Sequence, residues 1–199
     1  ITSSNDIVLA VGSAGSVYHT GDGGTSNTIY GLNAGTDLAS GGNYNVFIGE
    51  DAGAEATTGD YNVGLGYKAF GGAAAAATTG DNNIAIGFEA AGALTTGSAN
   101  VAIGHEAMDR GTTQAARNVA IGNQAMHGNF TTAAVVDCIA IGSTALEGTL
   151  TSDASGSVAI GKSALAALTS GIGNVAIGYQ ALDAEDDGDY NTAIGYKAL

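Results

Sequence analysis

The chain predicts an all-β fold, a parallel β-solenoid of about ten to eleven coils of 17–21 residues, on three observations. A phrase close to N-V-A-I-G-x-x-A returns ten times, with its glycines at Gly31, Gly49, Gly66, Gly87, Gly104, Gly122, Gly142, Gly161, Gly178 and Gly195. Successive glycines are 17 to 21 residues apart, too few for a strand plus a helix. The β-branched residues of the phrase favour short strands, so each unit reads as one coil. The composition agrees: 33 Gly, no Pro and 6% aromatic residues supply few large side chains for a wide core, whereas a thin stack of like coils needs only small ones.

Taken in order, residues 1–25 form an N-terminal segment with one degenerate coil. In Val8 to Gly15, Gly12 precedes Gly31 by 19 residues, and Leu9 and Val11 fall on the Val and Ile positions of the phrase. Residues Ile1 to Asp6 ahead of it are a candidate donor strand or docking segment. Residues 26–199 form the repeat domain, whose full unit is T-T-G-[DS]-x-N-[VIT]-A-I-G-x-x-A-[LFM], followed by a loop of variable length.

In each strand Val and Ile lie two residues apart and share a face, with Ala between them on the other. The larger residues are expected inside. That places Val101, Val119, Ile139 and Val158 in one inward column and Ile103, Ile121, Ile141 and Ile160 in another. The alanines Ala85, Ala102, Ala120, Ala140, Ala159, Ala176 and Ala193 are then expected outside, where a row of small residues suits close contact in a trimer or merely avoids crowding on a solvated face.

Asn27, Asn45, Asn62, Asn83, Asn100, Asn118, Asn174 and Asn191 form a column of amides expected to hydrogen-bond along the axis, with Cys138 and Ser157 as small interruptions. The phrase glycine reads as a tight turn. A further column, Phe70, Met108, Met126, Leu146, Leu165, Leu182 and Leu199, is expected to close the apolar interior. Length changes at Gly71 to Ala77 and His127 to Val136 should bulge from one edge.

The formal charge of -14, from 19 acidic and 5 basic residues, disfavours nucleic acid and anionic lipid as partners. The apolar run Ile7 to Val11 is far short of the ~20 residues of a spanning helix, so no membrane insertion is expected. His19, His105 and His127 share no repeat position, and no Ser, His and Asp recur as a triad. A thin solenoid also offers no deep pocket, so an enzyme is not expected. Cys138 reads as a buried filler. No cofactor is expected. The one candidate ion is Ca²⁺ at Asp183, Glu185, Asp186, Asp187 and Asp189, with Gly21 to Gly24 a second acidic turn, and a solvated acidic loop is the rival reading.

Two surface stripes suggest recognition. Tyr67 with Phe88 and Tyr179 with Tyr196 follow the phrase glycine on neighbouring coils, as exposed rings that can hold sugars. The pairs Thr57/Thr58, Thr78/Thr79, Thr95/Thr96, Thr112/Thr113 and Thr131/Thr132 suggest a flat threonine array of the ice-binding kind.

The phrase resembles the head repeat of YadA-like trimeric autotransporter adhesins, built around S-V-A-I-G-x-x-A. It equally resembles the T-T-G-x-x-N-T-A-I-G-Y-x-A-L repeats of phage tail-fibre proteins, as in Gly188 to Leu199 (GDYNTAIGYKAL). The resemblance implies a left-handed parallel β-roll in a threefold fibre, located outside the cell, at its surface or on a virion. The expected function is a structural fibre subunit with adhesion to a host surface or glycan receptor as a candidate activity. Its partners are expected to be copies of itself, as a homotrimer and as a head-to-tail polymer in which Leu9 and Val11 dock near Leu199. A glycan-binding or ice-binding module is the alternative.

Overall fold

The computed structural model describes residues 24–71, 77–110, 114–129, 134–151 and 154–199. The degenerate coil with Leu9 and Val11, the Ile1 to Asp6 segment and all but Gly24 of the Gly21 to Gly24 acidic turn lie outside these residues. Among the described residues, ten three-residue strands stack in sequence order into one parallel sheet: β1 (Thr28–Tyr30), β2 (Val46–Ile48), β3 (Val63–Leu65), β4 (Ile84–Ile86), β5 (Val101–Ile103), β6 (Val119–Ile121), β7 (Ile139–Ile141), β8 (Val158–Ile160), β9 (Val175–Ile177) and β10 (Thr192–Ile194). The chain is thus all-β, a parallel β-solenoid. Equivalent repeat positions pair directly, Val101 with Val119 and Ile103 with Ile121, so each column of the phrase is a column in space.

The strands are short because left-handed backbone bounds them. The residue before the ladder asparagine has φ near 60° in coil after coil: 58° at Tyr44, 59° at Tyr61, 60° at Ala99 and 58° at Arg117. Beyond the strand, Gly104 has φ 134°, and Glu106 and Met108 follow at 53° and 55°. A Cβ at Gly104 would also stand 2.4 Å from the carbonyl oxygen of Gly122, so this corner requires glycine twice over. A left-handed residue with a side chain costs ~1–2 kcal/mol. Backbone bonds between coils offset that cost: Glu106 N–H donates to Phe88 O at 2.8 Å and Met108 N–H to Ala125 O at 3.0 Å.

Inside and outside are the reverse of the sequence expectation. Ala85, Ala102, Ala120, Ala140, Ala159, Ala176 and Ala193 are buried within the single chain and so cannot form a trimer interface. Val101, Ile103, Val119, Ile121, Ile139, Ile141, Val158 and Ile160 are only half-buried and flank the alanine on the outer face.

The reason is the width of the interior, which the strand's central residue shares with the residue six positions later. Phe70, Met108, Met126, Leu146, Leu165 and Leu182 fill it from the far side, leaving room at the strand for a methyl group, whereas Leu199, expected in the same column, is exposed. Where the strand carries a large residue the other side is glycine: Ile29 with Gly35, and Phe47 with Gly53. A Cβ on Gly53 would lie 2.6 Å from three atoms of the Phe47 ring, and one on Gly35 would lie 2.9 Å from Ile29 Cδ1. β3 shows the converse, Gly64 with Phe70. Leu94, Val135, Leu150 and Leu168 complete the buried core from the connecting segments.

Candidate interaction surface

The outward strand positions make a continuous apolar face. One column holds Val46, Val63, Ile84, Val101, Val119, Ile139, Val158 and Val175 between Thr28 and Thr192; the other runs Tyr30, Ile48, Leu65, Ile86, Ile103, Ile121, Ile141, Ile160, Ile177 and Ile194. Neither column contains a charged residue, in a chain of formal charge -14. Leu65 and Ile84 are 41% and 38% exposed, and most of the others are half-buried by the coils above and below. At ~4.8 Å per strand the face is about 43 Å long, and its columns stand about 7 Å apart. Contiguous apolar surface of this kind is where proteins meet partners or ligands. Sequence reasoning missed this face, and the exchange of size between positions six apart was the signal that locates it.

The asparagine column is a connected ladder. Asn100 Oδ1 accepts the backbone N–H of Asn118 at 3.0 Å and its Nδ2–H at 3.2 Å, while Asn100 Nδ2 donates to Ala115 O at 2.7 Å and to Asn83 Oδ1 at 3.0 Å. The same linkage runs from Asn27 through Asn45, Asn62 and Asn83 to Asn118, and from Asn174 to Asn191. Cys138 joins it by donating its N–H to Asn118 Oδ1 at 2.9 Å. At Ser157, Oγ accepts the N–H of Asn174 at 3.2 Å and donates to Gly171 O at 3.3 Å.

A second ladder, unforeseen from the sequence, lies two residues before the first on the solvent side. Asn43 N–H donates to Asp60 Oδ1, Asp60 N–H to Asp81 Oδ1 and Asp81 N–H to Ser98 Oγ. These ladders align the coils and present no open chemistry. Burial raises the Cys138 thiol above its ordinary range, and its sulfur lies 3.4 Å from Ala154 O, the surroundings of a filler and not of a nucleophile.

Exposed rings stack along the axis. Tyr67 and Phe88 have centroids 5.3 Å apart, Phe88 and His105 4.9 Å, and Tyr179 and Tyr196 5.3 Å. A further pair, Tyr44 with Tyr61, stands at 4.8 Å. Stacking turns the ring faces toward one another and leaves edges to solvent, whereas a sugar packs on a face. Lys68 Nζ, 5.3 Å from the Tyr67 centroid, adds a cation to one such stack.

The threonine pairs do not make a double row. Thr78 and Thr95 are buried, and only their partners Thr79 and Thr96 are exposed; Thr112, Thr113, Thr131 and Thr132 lie outside the described residues.

Of the five acidic candidates, Glu185, Asp186 and Asp187 have carboxylates within 4.8 Å of one another. Asp189 is directed elsewhere, its Oδ1 accepting the N–H of Ile172 at 2.8 Å, and Asp183 does not join the group. Glu185 Oε1 accepts the Gly188 N–H at 2.6 Å, and Asp186 O accepts from Thr169. Three carboxylates, one already engaged, fall short of the six to eight oxygens that Ca²⁺ takes.

His127 Nε2 lies 3.6 Å from Glu106 Oε2 and 3.8 Å from Asp109 Oδ2. Burial holds the Asp109 carboxyl above its usual range, with Glu89 adding to the effect; the Glu106 carboxyl is held lower, chiefly by the hydrogen bond from Gln124. Comparison with protein-family models, curated proteins and solved structures found no match for this chain.

Proposed function

We propose that the chain is a structural subunit of a fibre and associates laterally with copies of itself through the Val/Ile face. The single observation behind this reading is that face: seventeen aliphatic side chains in two columns, free of charge, on the outside of a chain whose own core is already complete. Full burial of a Val or Ile gives ~2 kcal/mol, and covering the roughly one quarter still exposed gives ~0.5 kcal/mol. Two such faces in contact then contribute about 17 kcal/mol, against ~4–15 kcal/mol of lost translational and rotational freedom. Association is favoured. A threefold arrangement rests on the resemblance of the repeat phrase, as do a place outside the cell or on a virion and an adhesive role.

Sedimentation of the parent chain and of Ile121→Asp tests the reading. The parent is expected as a trimer, and the variant as a monomer that keeps its β-type circular dichroism, because residue 121 faces outward. A parent chain that stays monomeric at high concentration contradicts the proposal, as does a variant that associates unchanged.

The alternative of a glycan-binding or ice-binding module draws less support, since stacking occupies the ring faces and the threonines split between interior and surface. Glycan binding by the parent that Phe88→Ala abolishes would favour it.

A further inference from the structure

We propose that Tyr44 and Tyr61 form an oxidative modification site, at which an external one-electron oxidant couples the two phenols into a dityrosine that staples neighbouring coils. The two residues occupy the same repeat position, immediately before the ladder asparagines Asn45 and Asn62. Each is held in left-handed backbone, at φ 58° and 59°, and the ladder bond from Asn62 N–H to Asn45 Oδ1 aligns their coils. The rings therefore leave the backbone in the same direction. Their centroids are 4.8 Å apart and their planes 6° from parallel, the tightest and flattest ring stack among the described residues. Both side chains are about half exposed, at 51% and 55%, so an oxidant reaches them from solvent.

The chemistry follows from the stacking. Each phenol gives up one electron and its hydroxyl proton to become a phenoxyl radical, whose unpaired spin resides partly on the Cε carbons beside the oxygen. One Cε of each ring then joins in a carbon–carbon bond, and the proton on each joined carbon moves to its oxygen, restoring two aromatic phenols. With hydrogen peroxide and a haem peroxidase as oxidant, two electrons and two protons pass to the peroxide and yield two molecules of water. Coupling normally waits for two radicals to meet by diffusion. Here the partner ring is in place, which raises its effective concentration.

Other stacks are poorer candidates. Phe88, between Tyr67 and His105, has no phenol to oxidise. Tyr179 and Tyr196 are both phenols at 5.3 Å, but Lys197 Nζ sits 5.8 Å from the Tyr196 centroid, and a cation there opposes removal of an electron from the ring. The inference is independent of the proposed fibre role.

The test treats dilute native protein with a haem peroxidase and hydrogen peroxide, followed by denaturing separation, cleavage at glutamate and mass spectrometry. Glu50 and Glu55 lie between the two tyrosines, so a link holds together two peptides that cleavage would otherwise release. The expected result is a monomeric chain lighter by two hydrogen atoms, with the joined Tyr44 and Tyr61 peptides as the main dityrosine product. Yield from the denatured chain should be at least tenfold lower. Tyr61→Phe, which keeps the ring and the stack, should abolish the link. The proposal is overturned if the linked peptides form equally in the denatured chain, if they occur only in covalent dimers, or if no Tyr44–Tyr61 product forms where free N-acetyltyrosine couples.

Discussion

The pairing of Phe47 with Gly53 offers a quantitative test of how the interior is filled. Phe47→Ala alone removes a fully buried ring that stacks on Phe70 at 6.0 Å, and should cost ~3–5 kcal/mol in transfer and cavity terms. Gly53→Leu alone puts a Cβ 2.6 Å from three atoms of that ring, which the stack on Phe70 holds in place, and should cost ~3 kcal/mol or more in overpacking and backbone strain. Together they rebuild the arrangement of Ala140 with Leu146, where a leucine sits in the same left-handed conformation at φ 54°. The double variant should lie within ~1–2 kcal/mol of the parent, for a coupling of ~4–7 kcal/mol between the sites. The assay is equilibrium unfolding by circular dichroism for the four proteins at one concentration, because association contributes to apparent stability. Additivity within ~0.5 kcal/mol would refute the claim that these positions share one interior slot.

Asn100→Ala strands the buried Ala115 carbonyl and the Asn118 N–H and should cost ~2–5 kcal/mol by thermal or chemical unfolding; a loss below ~0.5 kcal/mol would show that water replaces the ladder. Gly104→Ala, with φ 134° and a Cβ 2.4 Å from a backbone oxygen, should cost ~3 kcal/mol or more, and an unchanged melting temperature would contradict the corner described. The Asp109 carboxyl is raised in the folded chain, so its contribution to stability is present below its unfolded value and lost as pH rises through the folded one. Asp109→Asn should therefore melt above the parent at pH 7, with the difference closing at pH ~3, below the ordinary carboxylate range; a constant difference would show that its charge is not the cause.

The period, the strand positions and the asparagine column were legible because each recurs at a fixed offset and needs no knowledge of depth. Inside and outside were not, since a three-residue alternation defines two faces and leaves open which one is covered. Hydrophobicity favours Val101 and Ile103 over Ala102, and that preference misleads here because Met108, six residues later, already occupies the space. The exchanges Phe47/Gly53 and Gly64/Phe70 carried the information, as covariation in volume. The left-handed position before each ladder residue was also visible in part, since Asn82, Asp137, Gly156 and Gly173 tolerate that backbone, but Tyr44 and Tyr61 hid it. The acidic loop looked denser in sequence than in space, because Asp189 turns to the backbone of Ile172.

Thiol labelling tests the central claim most directly, using Ala120→Cys and Ile121→Cys, each made in a Cys138→Ser chain. With alanine inside and isoleucine on a face that binds other copies, the thiol at 120 should resist labelling at every protein concentration. The thiol at 121 should label readily in dilute solution and be protected as concentration rises. Faster labelling at 120 than at 121, or labelling at 121 that does not depend on concentration, would contradict the account.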